Sequence, residues 1–380
     1  MSLLINLSFL ITKPTGHTNY AVNLLPHLQP LEPTLLMSLG LKPQAIASLG
    51  LKSQAIATLG LKPQAAYKSY PVPANLTPEQ GTRGHLRRLV WTQLQLPRIY
   101  QKLRSRLLFS PVPEAPLSAK CRYIVTVHDL IPLRFPRLSP LTPYHRYYIP
   151  QVLTQAQHII CNSTATAQDI IDFFQIPASK ITPIPLAYDA ERFRYHDTIG
   201  NHESNPYFLY IGRHDPHKNL HRIIAAFAAM PNRDCELWLA GSPDKRYTPK
   251  LKIQVEELGI SERVKFLDYV PYNQLPILLH QATGLVFPSL WEGFGLPVLE
   301  AMACGTPVIT SNLSSLPEVA GDAALLVNPY NTEEITAAMQ AIVTDTPLRS
   351  HLSSLGITRS SQFSWHKTGL ATLQVLENYL

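Results

Sequence analysis

The chain lacks most of the residues that build disulfide-stapled or metal-held folds. Its 380 residues include four cysteines, Cys121, Cys161, Cys235 and Cys304, far apart and without a Cys-x-x-Cys pair. That excludes a zinc ribbon and a disulfide framework, and predicts buried thiols in a reducing compartment. No run approaches the ~20 apolar residues a membrane-spanning helix needs. Zinc-finger spacing and RNA-binding aromatic signatures are also missing, which argues against nucleic acid as a partner. No Asp-x-Asp motif occurs, so nothing in the sequence announces a metal site.

What is present suits a large two-domain α/β protein. The chain is long enough for two cores of roughly 150–200 residues each. Hydrophobic residues make up 45% and charged residues 16%, ordinary values for a globular chain. Lys plus Arg exceed Asp plus Glu by 33 − 26 = 7, which favours an anionic partner, either a phosphorylated small molecule or a membrane surface. The first residues, Met1 to Ile11, are apolar but carry no basic flank and no cleavage site, so they read as a first buried strand in a cytoplasmic protein.

Two segments stand apart from the rest. Ser38-Leu-Gly-Leu-Lys-Pro-Gln-Ala-Ile-Ala47 recurs nearly unchanged at 48–57 and again at 58–67. Three decapeptides are too few and too short for a solenoid, and they read as a duplicated loop insertion or a partner-binding arm. Residues 83–108 read as an amphipathic helix broken near Pro97. Leu86, Leu89, Val90, Leu94, Ile99, Leu103 and Leu107 form its stripe, interleaved with Arg83, Arg87, Arg88, Arg98, Lys102, Arg104 and Arg106. Such a segment is either a solvated helix or one that sits on anionic lipid headgroups.

Beyond it, strand-like runs at 122–129, 158–163 and 181–187 accompany a helix at 164–174. The prolines of the last run place it at an edge or a domain exit. Tyr195 to Pro206 reads as a polar linker. Strands are then expected at 207–212, 235–241, 264–270, 283–288, 306–310 and 323–327. Helices are expected near 220–230, 249–258, 273–281, 296–304 and 333–343. This alternation implies parallel sheets covered on both faces, with ligands at the carboxyl ends of strands.

Two of those strand ends carry chemistry. After 207–212 comes Gly212-Arg213-His-Asp-Pro-His-Lys218-Asn219, two cations five residues apart before a helix, able to converge on one anion. After 283–288 comes Trp291-Glu292-Gly293-Phe294-Gly295-Leu296-Pro297, whose glycines let backbone N–H groups approach a ligand. Glu300 follows one helical turn on, in an otherwise apolar stretch, where a carboxylate requires hydrogen-bond partners.

Glu292-x7-Glu300, its Gly-Phe-Gly-Leu-Pro spacer and the following Ala-x-Ala-x-Gly-Thr-Pro-Val resemble the signature of the family 4 retaining glycosyltransferases. Tyr210-Ile-Gly-Arg213-x4-Lys218-Asn219-Leu220, Pro14-Thr-Gly16, Val127-His-Asp129 and Asn162-Ser163 extend the resemblance over nearly the whole chain except 38–67. It implies the GT-B fold: two facing Rossmann-like domains, at 1–195 and 205–362, with a helix at 363–380 returning to the first. It further implies transfer of a hexose from a nucleotide sugar to a hydroxyl of a glycan or lipid-linked glycan. Arg213 and Lys218 would hold the donor diphosphate, together with Gly212 and the backbone of Gly293, Phe294, Gly295 and Leu296. Glu300 would hold the ribose, Glu292 the donor sugar, His128 would help place that sugar, and Gly16 would approach the phosphates. The family's usual second glycine beside Gly16 is absent, which weakens that last assignment.

The resemblance implies no metal and no cofactor beyond the nucleotide-sugar substrate. The stretch Val127 to Pro136 looks like bacterial mannosyltransferases of surface polysaccharide assembly, so GDP-mannose is the expected donor. A lipid-linked acceptor would bring the protein to the inner membrane face. The competing readings are a nucleotide-sugar epimerase on the same scaffold and a non-catalytic sugar-binding subunit. Neither gives a reason for Arg213, Lys218, Glu292 and Glu300 together at these spacings.

Overall fold

The computed structural model describes residues 2–11, 15–38, 67–117, 120–136, 142–195 and 206–380. The chain forms two compact units, Met1–Leu186 with Trp365–Leu380, and Ala187–Ser364. Most of the linker read at 195–206, and all of the repeat between Ser38 and Tyr67, lie outside the described residues.

The first unit is built on a seven-stranded sheet in the order β3-β2-β1-β4-β5-β6-β7. Its strands are β1 (Leu3–Asn6), β2 (Thr34–Ser38), β3 (Lys68–Val72), β4 (Leu107–Ser110), β5 (Tyr123–Val127), β6 (His158–Cys161) and β7 (Ile181–Pro183). Every pairing is parallel; Leu4, for example, faces Thr34 on one side and Leu108 on the other. The central strands read LLIN, LLFS, YIVTV and HIIC and are buried throughout, as a parallel sheet covered on both faces demands. β7, with its proline, lies at the edge where a missing N–H does no harm.

The Trp365–Glu377 helix packs on the Gly16–Leu28 helix of the same unit. Gly369 makes this possible, because a Cβ there would overlap the His27 ring. The buried face is Thr368, Gly369, Thr372, Val375 and Leu376, while Leu370 is 48% exposed. Small residues thus make the contact by letting the two backbones approach.

The basic segment also differs from expectation. It forms two helices, Gly81–Leu94 and Leu96–Lys102, and then ends. Arg104 turns in the left-handed region at φ 48°, Ser105 N–H returns to the Tyr100 carbonyl, and the chain enters β4. Leu107 therefore belongs to a buried strand. Leu86, Val90 and Leu94 point outward, 61%, 50% and 58% exposed, on the same helix as exposed Arg83 and Arg87. Arg88 is buried instead, donating from Nε and Nη2 to both Glu114 carboxylate oxygens at 2.7 and 2.8 Å.

The second unit repeats the plan with six strands ordered β10-β9-β8-β11-β12-β13. They are β8 (Tyr207–Ile211), β9 (Glu236–Ala240), β10 (Val264–Asp268), β11 (Gly284–Phe287), β12 (Val308–Ser311) and β13 (Leu325–Val327). In both sheets the order reverses beside the first strand, between β1 and β4 and between β8 and β11. At such a switch point the flanking connections leave to opposite faces and open a crevice at the carboxyl ends.

Candidate functional site

In the second unit, the loops after β8 and β11 leave from either side of that crevice. Gly212 and Gly241 follow β8 and β9 at φ 153° and 148°. A Cβ on Gly241 would overlap the Gly212 carbonyl oxygen, so the two loops touch only because Gly241 carries no side chain. Asn219, left-handed at φ 66°, ties the loops together. Its Nδ2 donates to the carbonyls of Pro288 at 3.0 Å and Pro329 at 2.6 Å.

This brace sets Lys218 against Glu292, 74 positions away in the chain, with Nζ donating to both carboxylate oxygens at 2.7 Å. Both side chains are largely enclosed, at 16% and 9% exposure, and the ammonium also lies 5.4 Å from the centre of the Phe287 ring. The two residues read separately in the sequence thus form one bidentate, charge-assisted contact. Arg213 lies differently: its side chain is 71% exposed and pairs with Asp215 at 3.5 Å.

The turn Glu292 to Gly295 is held from behind by two serines that sequence reading did not single out. Ser315 Oγ donates to the carbonyls of Glu292 and Phe294 at 3.1 and 2.8 Å, and Glu292 N–H donates to Ser314 Oγ at 3.1 Å. Ordinary Ser-Ser dipeptides give no signal; only the fold brings this one under the turn. Gly295 then opens the Leu296–Ala303 helix at φ 111°, with Leu316 Cδ2 where a Cβ would go. Pro297 has no N–H and the Val298 N–H bonds the Gly295 carbonyl at 3.0 Å, so this opening favours an anion chiefly through the positive end of the helix dipole.

Glu300 sits on this helix among Val298, Leu299, Ala301, Met302 and Ala303, all buried. Its Oε1 takes the Tyr272 hydroxyl at 3.3 Å, and the carboxyl has no other hydrogen bond among the described residues. Burial pushes its pKa up to about 8; the Tyr272 bond opposes the rise and the nearby Asp189 charge adds to it. A buried carboxyl with a single long hydrogen bond is undersupplied with donors.

In the first unit, Thr15 caps the Gly16–Leu28 helix, its Oγ1 accepting from Thr18 N–H at 3.2 Å. Gly16 is exposed, with open space where a Cβ would stand. His128, just past β5, is 9% exposed and directs Nε2 at the Pro111 carbonyl, 2.9 Å away. A carbonyl only accepts, so Nε2 carries the proton and Nδ1 is the acceptor. Burial, reinforced by His17, lowers the His128 pKa to about 3, so the ring is neutral at physiological pH. The His17 ring lies 4.6 Å from it, a neighbour that the sequence reading passed over. No group of three or more His, Cys, Asp or Glu placed to hold a metal ion occurs among the described residues.

Comparison with known proteins agrees with this architecture. Residues 191–359 match the model of glycosyl transferases group 1, and residues 45–192 that of Glycosyltransferase Family 4. The O-antigen chain mannosyltransferase B of Escherichia coli is 32% identical over 267 residues, 66% of this chain and 69% of that protein. The O-antigen chain mannosyltransferase RfbU of Salmonella typhimurium is 32% identical over 57% of this chain and 60% of its own length. Among solved structures, Anabaena HepE in complex with UDP and glucose superposes with a TM-score of 0.73 at 18% identity, covering 100% of both chains.

Proposed function

This chain belongs to the family 4 glycosyltransferases of the GT-B fold, and from that premise we propose that it transfers mannose from GDP-mannose to a hydroxyl of a glycan or lipid-linked glycan. The observation that carries the reading is the Lys218–Glu292 contact beside the Gly293–Leu296 turn, with Glu300 one turn further on the same helix. A nucleotide sugar has a diphosphate, a ribose diol and a sugar ring in fixed order. Lys218 and the helix opening suit the diphosphate, Glu300 suits the diol, and Glu292 suits sugar hydroxyls. Arg213, whose exposed side chain pairs with Asp215, would swing onto the phosphates. The two relatives at 32% identity are O-antigen chain mannosyltransferases, which supports the choice of sugar.

In the reaction, the bond from C1 of the sugar to the β-phosphate oxygen breaks and the acceptor oxygen bonds to C1. The nucleoside diphosphate leaves, and the acceptor's proton passes to the departing phosphate oxygen on the same face, with retention of configuration. Negative charge grows on that phosphate, and fixed cations with a helix N-terminus stabilise it without a metal ion. The neutral His128 would accept a sugar hydroxyl at Nδ1 and fix the ring's orientation. Neither role needs a cofactor.

The acceptor is read as membrane-borne. No described helix is long and apolar enough to cross a membrane. The outward Leu86, Val90 and Leu94, flanked by Arg83 and Arg87, instead suit a helix lying at an anionic surface.

A panel of nucleotide sugars in a thermal-shift assay tests the donor. GDP-mannose at ~100 times its dissociation constant should stabilise by about 2.7 kcal/mol. A larger shift with a UDP-sugar would move the donor assignment, and release of an epimerised nucleotide sugar would favour an epimerase.

A further inference from the structure

We propose that Tyr272 is a positioning residue for donor binding, holding the Glu300 carboxyl in the orientation that receives the ribose hydroxyls. The inference rests on the reading of Glu300 as the ribose-binding group. Tyr272 follows β10 and approaches Glu300 across the carboxyl end of the sheet, its hydroxyl 3.3 Å from Oε1. The ring cannot rotate freely: the Arg192 guanidinium lies 4.7 Å from its centre, and Phe193 packs edge-on at 5.3 Å. One stacked cation and one aromatic edge thus fix a phenol whose hydroxyl is the carboxyl's only partner among the described residues.

The consequence is a division of the carboxyl. With Oε1 tied to Tyr272, Oε2 is left for a ligand, and a carboxylate held at one oxygen presents the other in a defined direction. An ionised carboxyl accepts diol hydroxyls more strongly than a protonated one, yet burial favours the protonated form of Glu300 and Asp189 pushes the same way. The Tyr272 hydrogen bond works in the opposite direction, favouring the carboxylate, the stronger acceptor for the diol. The groups acting on Glu300 are therefore Tyr272 and Asp189, with Arg192 acting through the Tyr272 ring; the Cys304 thiol is itself held neutral by burial, its pKa raised to about 12.

The test compares wild type, Tyr272→Phe and Glu300→Ala. Titration calorimetry from pH 6 to 9 uses whichever of GDP, UDP, ADP and CDP binds wild type most tightly, and its 2′,3′-dideoxy analogue. Tyr272→Phe removes one oxygen and leaves the ring stack. It should weaken the nucleoside diphosphate by about fivefold at pH 7. The pH at which affinity is half-gained should move upward, and the dideoxy analogue should bind as it does to wild type. The phosphate titrates identically in both probes, so it cancels. Equal weakening of both probes would reduce Tyr272 to a structural support, and an unchanged pH profile would overturn the proposal. If Glu300→Ala binds the nucleotide like wild type, or if no nucleoside diphosphate binds, the reading of Glu300 itself fails.

Discussion

Glu300 concentrates the conflict between folding and binding at one side chain. Burial raises its carboxyl pKa to about 8, well above the 4.5 of an unfolded glutamate. A raised carboxyl pKa means the folded protein prefers the protonated form. Its contribution to stability is complete below pH ~4.5 and is lost as pH rises through about 8. Glu300→Gln should therefore raise the melting temperature of the ligand-free protein by about 3–6 °C at pH 8.5 and hardly change it at pH 4.5, read by calorimetry at both pH values. The same variant, like Glu300→Ala, should lose most donor affinity; wild-type affinity in either would contradict the assignment. Lys218→Ala should lower turnover by at least ~100-fold, the scale for losing one preorganised charge at a developing anion. It also leaves Glu292 without its cation, so Glu292→Gln in that background should cost little more, a non-additivity that a double-mutant cycle would measure. Arg213→Ala should also fall by about 100-fold in turnover if the exposed guanidinium closes onto the phosphates. An unchanged rate would confine the diphosphate contacts to Lys218 and the helix opening.

At the scale of elements, the connection between β2 and β3 decides what can be removed. The two strands are parallel neighbours, so Ser38 at the carboxyl end of β2 and Lys68 at the amino end of β3 lie a five-residue strand or ~16 Å apart. The chain between them has to cross that distance, so splicing Ser38 directly to Tyr67 should detach edge strand β3 and destabilise the unit. Replacing 39–66 with about 12 Gly and Ser residues, whose flexible span reaches ~19 Å, should keep melting temperature and turnover close to wild type. Loss of folding with that linker would make the decapeptides part of the fold.

The helix Gly81–Leu94 supplies a second test. Arg83→Ser and Arg87→Ser together should weaken salt-sensitive binding to anionic vesicles by about 30-fold, at about 1 kcal/mol for each cation near the surface. Arg88 is no part of that surface, because its charge is spent on Glu114. Sequence periodicity placed the strands and helices of the second unit to within a few residues, since buried runs such as YFLYI and GLVF between turn residues have few other readings. It was silent on the Thr346–Ser360 helix, whose buried positions are Leu352, Gly356 and Ser360, two of them not apolar side chains. It ran the basic helix into β4 because Leu103 and Leu107 keep helical spacing, and nothing local marks the left-handed turn at Arg104.

For the whole molecule, the two units share one strand-order plan and differ in what their carboxyl edges carry. The second holds the paired Lys218 and Glu292, the Gly295 helix opening and the underpartnered Glu300; the first holds the neutral His128 beside His17. The motif residues of the second unit were legible because close-approach glycines and carboxylates in apolar runs are chemically conspicuous. The supports Ser315 and Tyr272 were not, nor was the bracing role of the motif residue Asn219, because each acts on a partner brought near only by folding. Activity should also survive EDTA, and strict dependence on added Mg²⁺ would contradict charge stabilisation by protein groups alone. The most direct test of the account is a transfer reaction with GDP-mannose and a mannose-terminated acceptor glycan, followed by proton NMR of the anomeric signals. The account predicts one GDP released for each new α-mannosidic linkage, lost in Lys218→Ala. A β-linked product, an epimerised nucleotide sugar, or transfer that persists in that variant would contradict it.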